Sequence, residues 1–274
     1  MRERIESHAN RKIKLAASLH ARRGREKANC FLVEGLRLAE MAAESHWQTE
    51  YALFTQAFAQ KARGARLLER LEARCPLYEV DEGCFKKVAA TDSPQGIALV
   101  MRAQHQSLDA HSVRRKESLY IVLDGVQDPG NVGTIIRTAD AAGADGVICL
   151  CGTADLFGDK TMRSTMGSLF HLPIFTEVTT EALMEFCTAH GIALCAAALD
   201  PAAKPLFEPL FQRACAIVLG NEGNGISETI LQEAAHVFIP MYGRAESLNV
   251  ATSAAILLYE AVRQRNYNHS AQQR

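Results

Sequence analysis

Six near-continuous apolar runs divide the second half of the chain: 119–123 (LYIVL), 147–151 (VICLC), 172–175 (LPIF), 192–199 (IALCAAAL), 215–219 (CAIVL) and 237–239 (VFI). A strand with one wet face alternates apolar and polar residues, whereas a strand covered on both faces stays apolar throughout. These runs predict an open parallel sheet with helices on both sides. Helical segments fit between them at 131–142, 180–190 and 226–235. A last helix fits 248–264, with Leu248, Ala251, Ala255, Leu258 and Val262 on one face.

The first half has a lighter version of the same alternation. Short apolar strands are predicted at 30–33 (CFLV), 51–54 (YALF), 77–80 (LYEV) and 96–101 (GIALVM), with helices after Gly35, over 57–75 and over 81–88. That order suits a small α/β sandwich. Residues 102–117 (RAQHQSLDAHSVRRKE) are polar, lack an apolar period and read as a linker. The expected organisation is a basic segment at 1–27, a small α/β domain at 28–101, the linker at 102–117 and a larger domain at 118–274. At 274 residues the chain has room for two such domains.

The net charge of −1 hides an asymmetry. Residues 1–27 carry nine basic side chains (Arg2, Arg4, Arg11, Lys12, Lys14, Arg22, Arg23, Arg25, Lys27) and three acidic ones, leaving 21 basic and 28 acidic for the remainder. A positive segment attracts phosphate, although a solvated helix face has the same composition. The eight cysteines lie mostly inside apolar runs without zinc spacing, and Cys149 and Cys151 are too close for a useful loop closure. Reduced thiols in the cytoplasm are the expectation, and no metal is expected. No apolar run approaches the ~20 residues of a membrane span, and MRERIESHANRKIK lacks the apolar centre of a signal peptide.

Three loops after predicted strands open onto helices, where ligands of open α/β sheets bind. The first runs Asp124-Gly-Val-Gln-Asp-Pro-Gly-Asn131-Val-Gly133-Thr-Ile-Ile-Arg137. Pro129-Gly130 suits a tight turn, Asn131 is the expected helix cap, and Arg137 lies about two turns in. The second, Leu219-Gly220-Asn221-Glu222-Gly223-Asn224-Gly225, holds three glycines in six residues. It is neither a phosphate-binding Gly-Lys-Ser/Thr loop nor a dinucleotide fingerprint, so a nicotinamide enzyme of the Rossmann type is disfavoured. The third, Ile239-Pro240-Met241 through Ser247-Leu248-Asn249-Val250, has Ser247 as its expected cap. Each loop alone is also compatible with a plain strand-to-helix turn.

Together and in this order, the three loops resemble the signature motifs of the SpoU (TrmH-like) RNA 2′-O-ribose methyltransferases over about 118–265. The stretch Arg163-Ser-Thr-Met-Gly167-Ser is similar to a fourth family segment. The region 28–101, opening Phe31-Leu-Val-Glu34-Gly35, is similar to the L30e-like substrate-binding domain that precedes many such enzymes. Ala251-Thr252 departs from the Ser-Val of relatives.

The resemblance implies an α/β fold with a deep trefoil knot, S-adenosylmethionine as cofactor, and an RNA partner, ribosomal RNA favoured over tRNA. It further implies a homodimer in which the catalytic Arg lies near the partner's cofactor pocket, with helix 248–264 as the candidate dimer face. Leu219, Gly220, Ile239, Pro240, Met241 and Leu248 would meet the cofactor. Arg137 would activate the ribose hydroxyl. A guanidinium holds its proton too firmly to be a good base, so a phosphate-holding and alkoxide-stabilising role is favoured, with a base role left open. Glu222 would alternatively take the proton or fix Arg137, while Asn131 and Asn249 orient the sugar or the loops. The competing expectation is an RNA-binding protein of the same fold without transfer activity.

Overall fold

The fold is that of a computed structural model, which describes residues 3–104, 106–113 and 115–267. Arg2 of the basic segment, His105 and Arg114 of the expected linker, and residues 268–274 of the second domain lie outside the described residues. The chain divides into two compact units, one of Met1–Gln104 with Asp155–His171 and the other of His105–Ala154 with Leu172–Arg274.

The first unit is built on a five-stranded mixed sheet. Its strands are β1 (Glu3–Ile5), β2 (Cys30–Glu34), β3 (Thr49–Thr55), β4 (Leu77–Val80) and β5 (Ile97–Arg102), in the order β1-β4-β3-β5-β2. β1, β4 and β3 run parallel, while β5 is antiparallel to both β3 and β2. One face carries Leu32, Leu53, Ala98 and Val100, packed with Ile13 and Ala16 of α1 (Arg11–Ser18) and with Cys84, Phe85 and Val88 of α6 (Glu82–Val88). Strand β2 also packs against α3 (Leu36–Glu44), which lies beside α5 (Ala62–Glu72). The single helix expected over 57–75 is interrupted: α4 (Gln56–Ala59) ends before α5 begins. The break is tight. A Cβ on Gly64 would lie 2.2 Å from the carbonyl oxygen of Phe58.

The basic segment does not stand apart from this unit. Residues 3–5 pair with β4 and put Ile5 in the core, α1 and its C-cap add Ile13, Ala16 and Leu19, and α2 (Arg22–Ala28) follows. Arg25 is buried, its Nη2 2.5 Å from the Asp155 carboxylate and its Nη1 donating to the carbonyls of Leu19 and His20. A helical segment with this charge looks solvated in sequence because its few apolar residues are spaced at one per turn. Truncation at residue 27 therefore removes core, not only charge. Losing four buried apolar side chains at ~2–5 kcal/mol each for the larger ones rivals a whole domain's stability of ~5–15 kcal/mol. The deletion is expected to abolish the cooperative unfolding transition of the first unit in circular dichroism. A transition at the full-length midpoint would contradict this.

Asp155–His171 lies within the region expected to form the second domain, but joins the first unit. It contains α8 (Asp159–Thr165), and its Phe157 ring stacks on Phe31 at 4.6 Å while Trp47 meets Phe157 and Phe170 edge-on. His20 Nδ1 and the Asp159 carboxylate are 2.7 Å apart. The side-chain bond to Asp159 raises the imidazole pKa against the opposing effect of burial.

The second unit is the predicted parallel sandwich. Its strands are β6 (Leu119–Asp124), β7 (Gly146–Leu150), β8 (Ile174–Val178), β9 (Ala193–Ala197), β10 (Lys204–Pro205), β11 (Cys215–Gly220) and β12 (Ala235–Phe238), all parallel, in the order β10-β12-β9-β11-β6-β7-β8. Tyr120, Val122, Ile148, Phe175, Ala216 and Val218 pack on one face with Leu183, Phe186 and Cys187 of α9 (Thr180–His190) and Ile230 of α10 (Glu228–Glu233). On the other side lie α7 (Pro129–Ala141), which packs on β7, and α11 (Val250–Tyr267), which packs on α7 and β11. After β11 the chain runs out to β12, beyond β9, and comes back as α11. No helix among the described residues is long and apolar enough to cross a membrane.

Candidate active site

Because all seven strands are parallel, their C-terminal ends share one edge of the sheet, where successive helix N-termini and strand-end loops converge. Three adjacent strands, β12, β9 and β11, end there around a cavity of about 460 Å³, within the range of small-molecule sites. Ala197–Leu199 follow β9, Leu219–Glu222 and Gly225–Ile226 follow β11, and Ile239, Met241 and Ser247–Val250 follow β12. Of the expected cofactor residues, Leu219, Gly220, Ile239, Met241 and Leu248 line the cavity. Pro240 stands between two lining residues without lining it. Ala197–Leu199 carry no sequence signal beyond the end of an apolar run, and sequence reasoning missed them.

The glycine loop is held in shape by its own side chains. Asn221 Nδ2 donates to the carbonyl of Gly125 at 2.8 Å, and its Oδ1 accepts from the amides of Gly223 and Asn224. The backbones of Asn221 and Gly225 pair across the turn. This brings Gly225 so close to the strand end that a Cβ on Gly220 would sit 2.3–2.5 Å from the backbone atoms of Gly225 and Ile226. No side chain fits there. Glycine is required at 220 by neighbouring backbone, not by an unusual φ.

Two helix caps differ from expectation, and both changes release or engage a site residue. α7 begins at Pro129, whose fixed φ and missing N–H suit the first helical position. Asp128 is therefore the cap, accepting from the Asn131 amide at 2.9 Å, and the Asn131 side chain is left to other partners. α11 begins at Val250, so Asn249 rather than Ser247 caps it, accepting from the amides of Ala251 and Thr252. The Asn249 amide group then donates to Asn131 Oδ1 at 3.0 Å. Asn131 Nδ2 donates in turn to Glu222 Oε1 at 3.0 Å. One chain of hydrogen bonds thus joins all three loops.

Glu222 is the hub. Besides Asn131 it accepts from the backbone amides of Gln127 at 3.1 Å and Asp128 at 3.4 Å. Partial burial pushes its carboxyl upward. The bonds from Asn131 and from the Gln127 and Asp128 amides outweigh that and hold it below its usual value. It is an ionised acceptor fastened to the α7 entrance. Arg137 occupies the exposed side of α7, where it makes no hydrogen bond or ion pair with the described residues. Neither Arg137 nor Asn131 lines the cavity. Glu222 and Arg137 are not bonded to each other.

Small-residue packing by α11 is used within the chain: Ala251, Ala254, Leu257, Leu258 and Ala261 are buried. That side of α11 packs on α7 and β11, and Thr252 and Tyr259 are left exposed. Among the described residues, no group of three or more His, Cys, Asp or Glu is gathered to hold a metal ion.

Comparison with known proteins gives this geometry a family. Residues 118–259 match the SpoU rRNA Methylase family and residues 10–99 match the MRM3-like substrate binding domain. The chain is 38% identical over 258 residues to the 23S rRNA (guanosine(2553)-2′-O)-methyltransferase RlmP of Bacillus subtilis, covering 94% of this chain and 98% of that protein. The AdoMet-bound rRNA methyltransferase of Sinorhizobium meliloti superposes with a TM-score of 0.85 at 32% identity, over 95% of this chain and 97% of that one. The SpoU methyltransferase AviRb of Streptomyces viridochromogenes, in complex with AdoMet, gives a TM-score of 0.84 at 30% identity over 93% of this chain and 98% of that one. The mixed α/β architecture with its parallel sheet thus matches that of the SPOUT methyltransferases. By fold, by motif and by identity over nearly its whole length, the chain belongs to the SpoU rRNA methylase family.

Proposed function

We propose that this chain methylates a ribose 2′-hydroxyl of ribosomal RNA, with S-adenosylmethionine as the donor, and that it does so in the cytoplasm as a homodimer. The observation that carries the reading is the cavity at the ends of β9, β11 and β12, tied through Glu222, Asn131 and Asn249 to the helix that bears Arg137. The residues present suit the cofactor. Leu219, Ile226, Ile239, Met241 and Leu248 offer apolar faces for a flat base and a thioether stem, and the closely packed backbone at Gly220 offers polar groups to its edges.

Bound there, the cofactor supplies a methyl group on a sulfonium, a carbon already activated for in-line displacement. The chain's task is alignment and charge. Glu222 has both oxygens engaged by loop donors, so it acts as a positioning residue rather than as the proton acceptor. Asn131 and Asn249 hold the loops to each other. The uncommitted guanidinium of Arg137 suits a phosphate of the RNA and the oxygen that becomes negative as its proton passes to solvent water. Since Arg137 does not line the cavity of its own chain, we assign it to the cavity of a second copy. The helix at 248–264, whose exposed side bears Thr252 and Tyr259, is the candidate for the contact between copies.

Named relatives support ribosomal RNA: RlmP acts on a guanosine of 23S rRNA, and the 32% identical Streptomyces viridochromogenes protein on a uridine. The exposed cations Arg11, Lys14, Arg23 and Lys27 of the first unit suit phosphate contact. Replacing these four by Gln is expected to weaken RNA binding and to flatten its salt dependence, with cofactor affinity unchanged. An unchanged slope of affinity against salt would remove the α1–α2 surface from the RNA interface. The whole reading is tested by titrating S-adenosylmethionine calorimetrically and then measuring tritiated-methyl transfer to rRNA from a strain lacking the gene. Cofactor binding with transfer to a 2′-oxygen is expected. RNA binding without transfer would establish the inactive RNA-binding protein instead.

A further inference from the structure

The loop between β12 and α11 carries one side chain that the fold does not use. Tyr242 is 89% exposed, the most open of the large hydrophobic residues of the described chain. It makes no hydrogen bond, ion pair or ring contact with any described residue. A lone exposed aromatic is ordinary on a protein surface. Its position sets Tyr242 apart. The preceding residue, Met241, lines the cavity, and the same loop goes on through Ser247, Leu248 and Asn249, which line it too. Leu199, on the rim from the β9 side, is also 66% exposed. Phe207 and Tyr259, the other exposed large apolar residues, have no place in the cavity lining.

We propose that Tyr242 is an RNA-binding residue whose ring stacks on an unpaired nucleobase of the substrate, next to the ribose that receives the methyl group. This rests on the proposed transfer to RNA. A ribose hydroxyl reaches the mouth of the cavity only with its own base and its neighbours beside it. In folded RNA that approach requires a nucleotide to leave its stack, which exposes an apolar π-face to water. An aromatic ring held at the rim restores that contact. It does so for any base, because every base has a π-face. Two residues further on, Arg244 is exposed on the same loop and provides a cation where the flanking phosphate must run. A tyrosine ring costs little to fix, having two side-chain torsions, so the loop needs no partner within the fold to present it.

The test compares Tyr242→Ala, Tyr242→Phe and Tyr242→Leu in methyl transfer to rRNA purified from a strain lacking the gene, alongside calorimetric titration of S-adenosylmethionine. Tyr242→Ala is expected to raise KM for the RNA by about fivefold to 150-fold, the range for one lost base–aromatic stack, with cofactor affinity unchanged. Tyr242→Phe keeps the ring and is expected to stay within about threefold of the parent, whereas Tyr242→Leu, apolar without a π-face, resembles the alanine variant. Equal KM for Tyr242→Ala and the parent would overturn the proposal, as would full rescue by leucine. So would a loss that tracks dissociation of the dimer in sedimentation at assay concentration, which would place the ring in the contact between copies. If the parent protein itself transfers no methyl to the rRNA, the function assigned above falls first and separately.

Discussion

Gly220→Ala is expected to cost the protein its cofactor while leaving the second unit folded. The added carbon lies 2.3 Å from the carbonyl carbon of Gly225, 2.4 Å from its oxygen and 2.5 Å from the Ile226 nitrogen. All three are backbone atoms, so no rotamer change relieves the clash, and the loop must move off the strand end. That loop carries Asn221, Glu222, Gly225 and Ile226 of the cavity wall. Forcing one extra carbon into closed packing costs ~1–3 kcal/mol, or about five- to 150-fold in an equilibrium constant. Here the displaced atoms are those of the site. The expected result is a fall in S-adenosylmethionine affinity by at least tenfold in calorimetry, with a thermal midpoint shifted by only a few degrees. Gly223→Ala is the matched control. A Cβ there meets only the Asn221 Oδ1 at an ordinary 3.5 Å, and cofactor affinity should remain near that of the parent. Parental affinity for Gly220→Ala would show that the glycine loop is not part of the cofactor site.

The contrast between 220 and 223 shows where sequence is informative and where it is mute. Three glycines in six residues announce a place of close approach, but which of them is indispensable depends on the backbone that folds back onto it. The parallel sheet was legible because double-sided burial writes itself as continuous apolarity, and each of the six runs in the second half contains or overlaps a strand. The short strands β1 and β10, of three and two residues, are set by pairing with a neighbour and leave no period to detect. The helix caps were misplaced by two or three residues for a local reason. Asp128 and Asn131, or Ser247 and Asn249, are equally good capping residues, and only the helix start chooses between them. That choice matters chemically, because it frees the Asn131 side chain to bridge Glu222 and Asn249. Those partners are 91 and 118 positions away, so the bond network that unites the loops cannot be read from spacing. The same applies to Arg25. It reads as one more cation in a basic segment, and becomes a buried ion-pair partner of Asp155 only once 155–171 has joined the first unit.

Arg137→Ala is expected to lower kcat by about a hundredfold to a thousandfold, the usual loss on removing one group that stabilises developing negative charge. The cofactor dissociation constant should not change, because Arg137 is exposed on α7 and lies outside the cavity lining. Arg137→Lys tests what kind of cation is needed. Lysine keeps the charge but not the planar fork that engages a phosphate at two points, so partial recovery is expected. The geometry also decides which cavity the residue serves, through mixing of two inactive variants. In a dimer formed from one Arg137→Ala chain and one Gly220→Ala chain, the first has an intact cavity and the second an intact guanidinium. If Arg137 reaches across to the partner's cavity, that mixed dimer regains one working site. Random exchange should then restore about a quarter of the parental activity, since half the dimers are mixed and each has one good site of two. If Arg137 serves its own chain, each cavity in the mixed dimer lacks either its shape or its cation. No activity should return, and the assignment across the interface would have to be given up while the role of the guanidinium in transfer would stand.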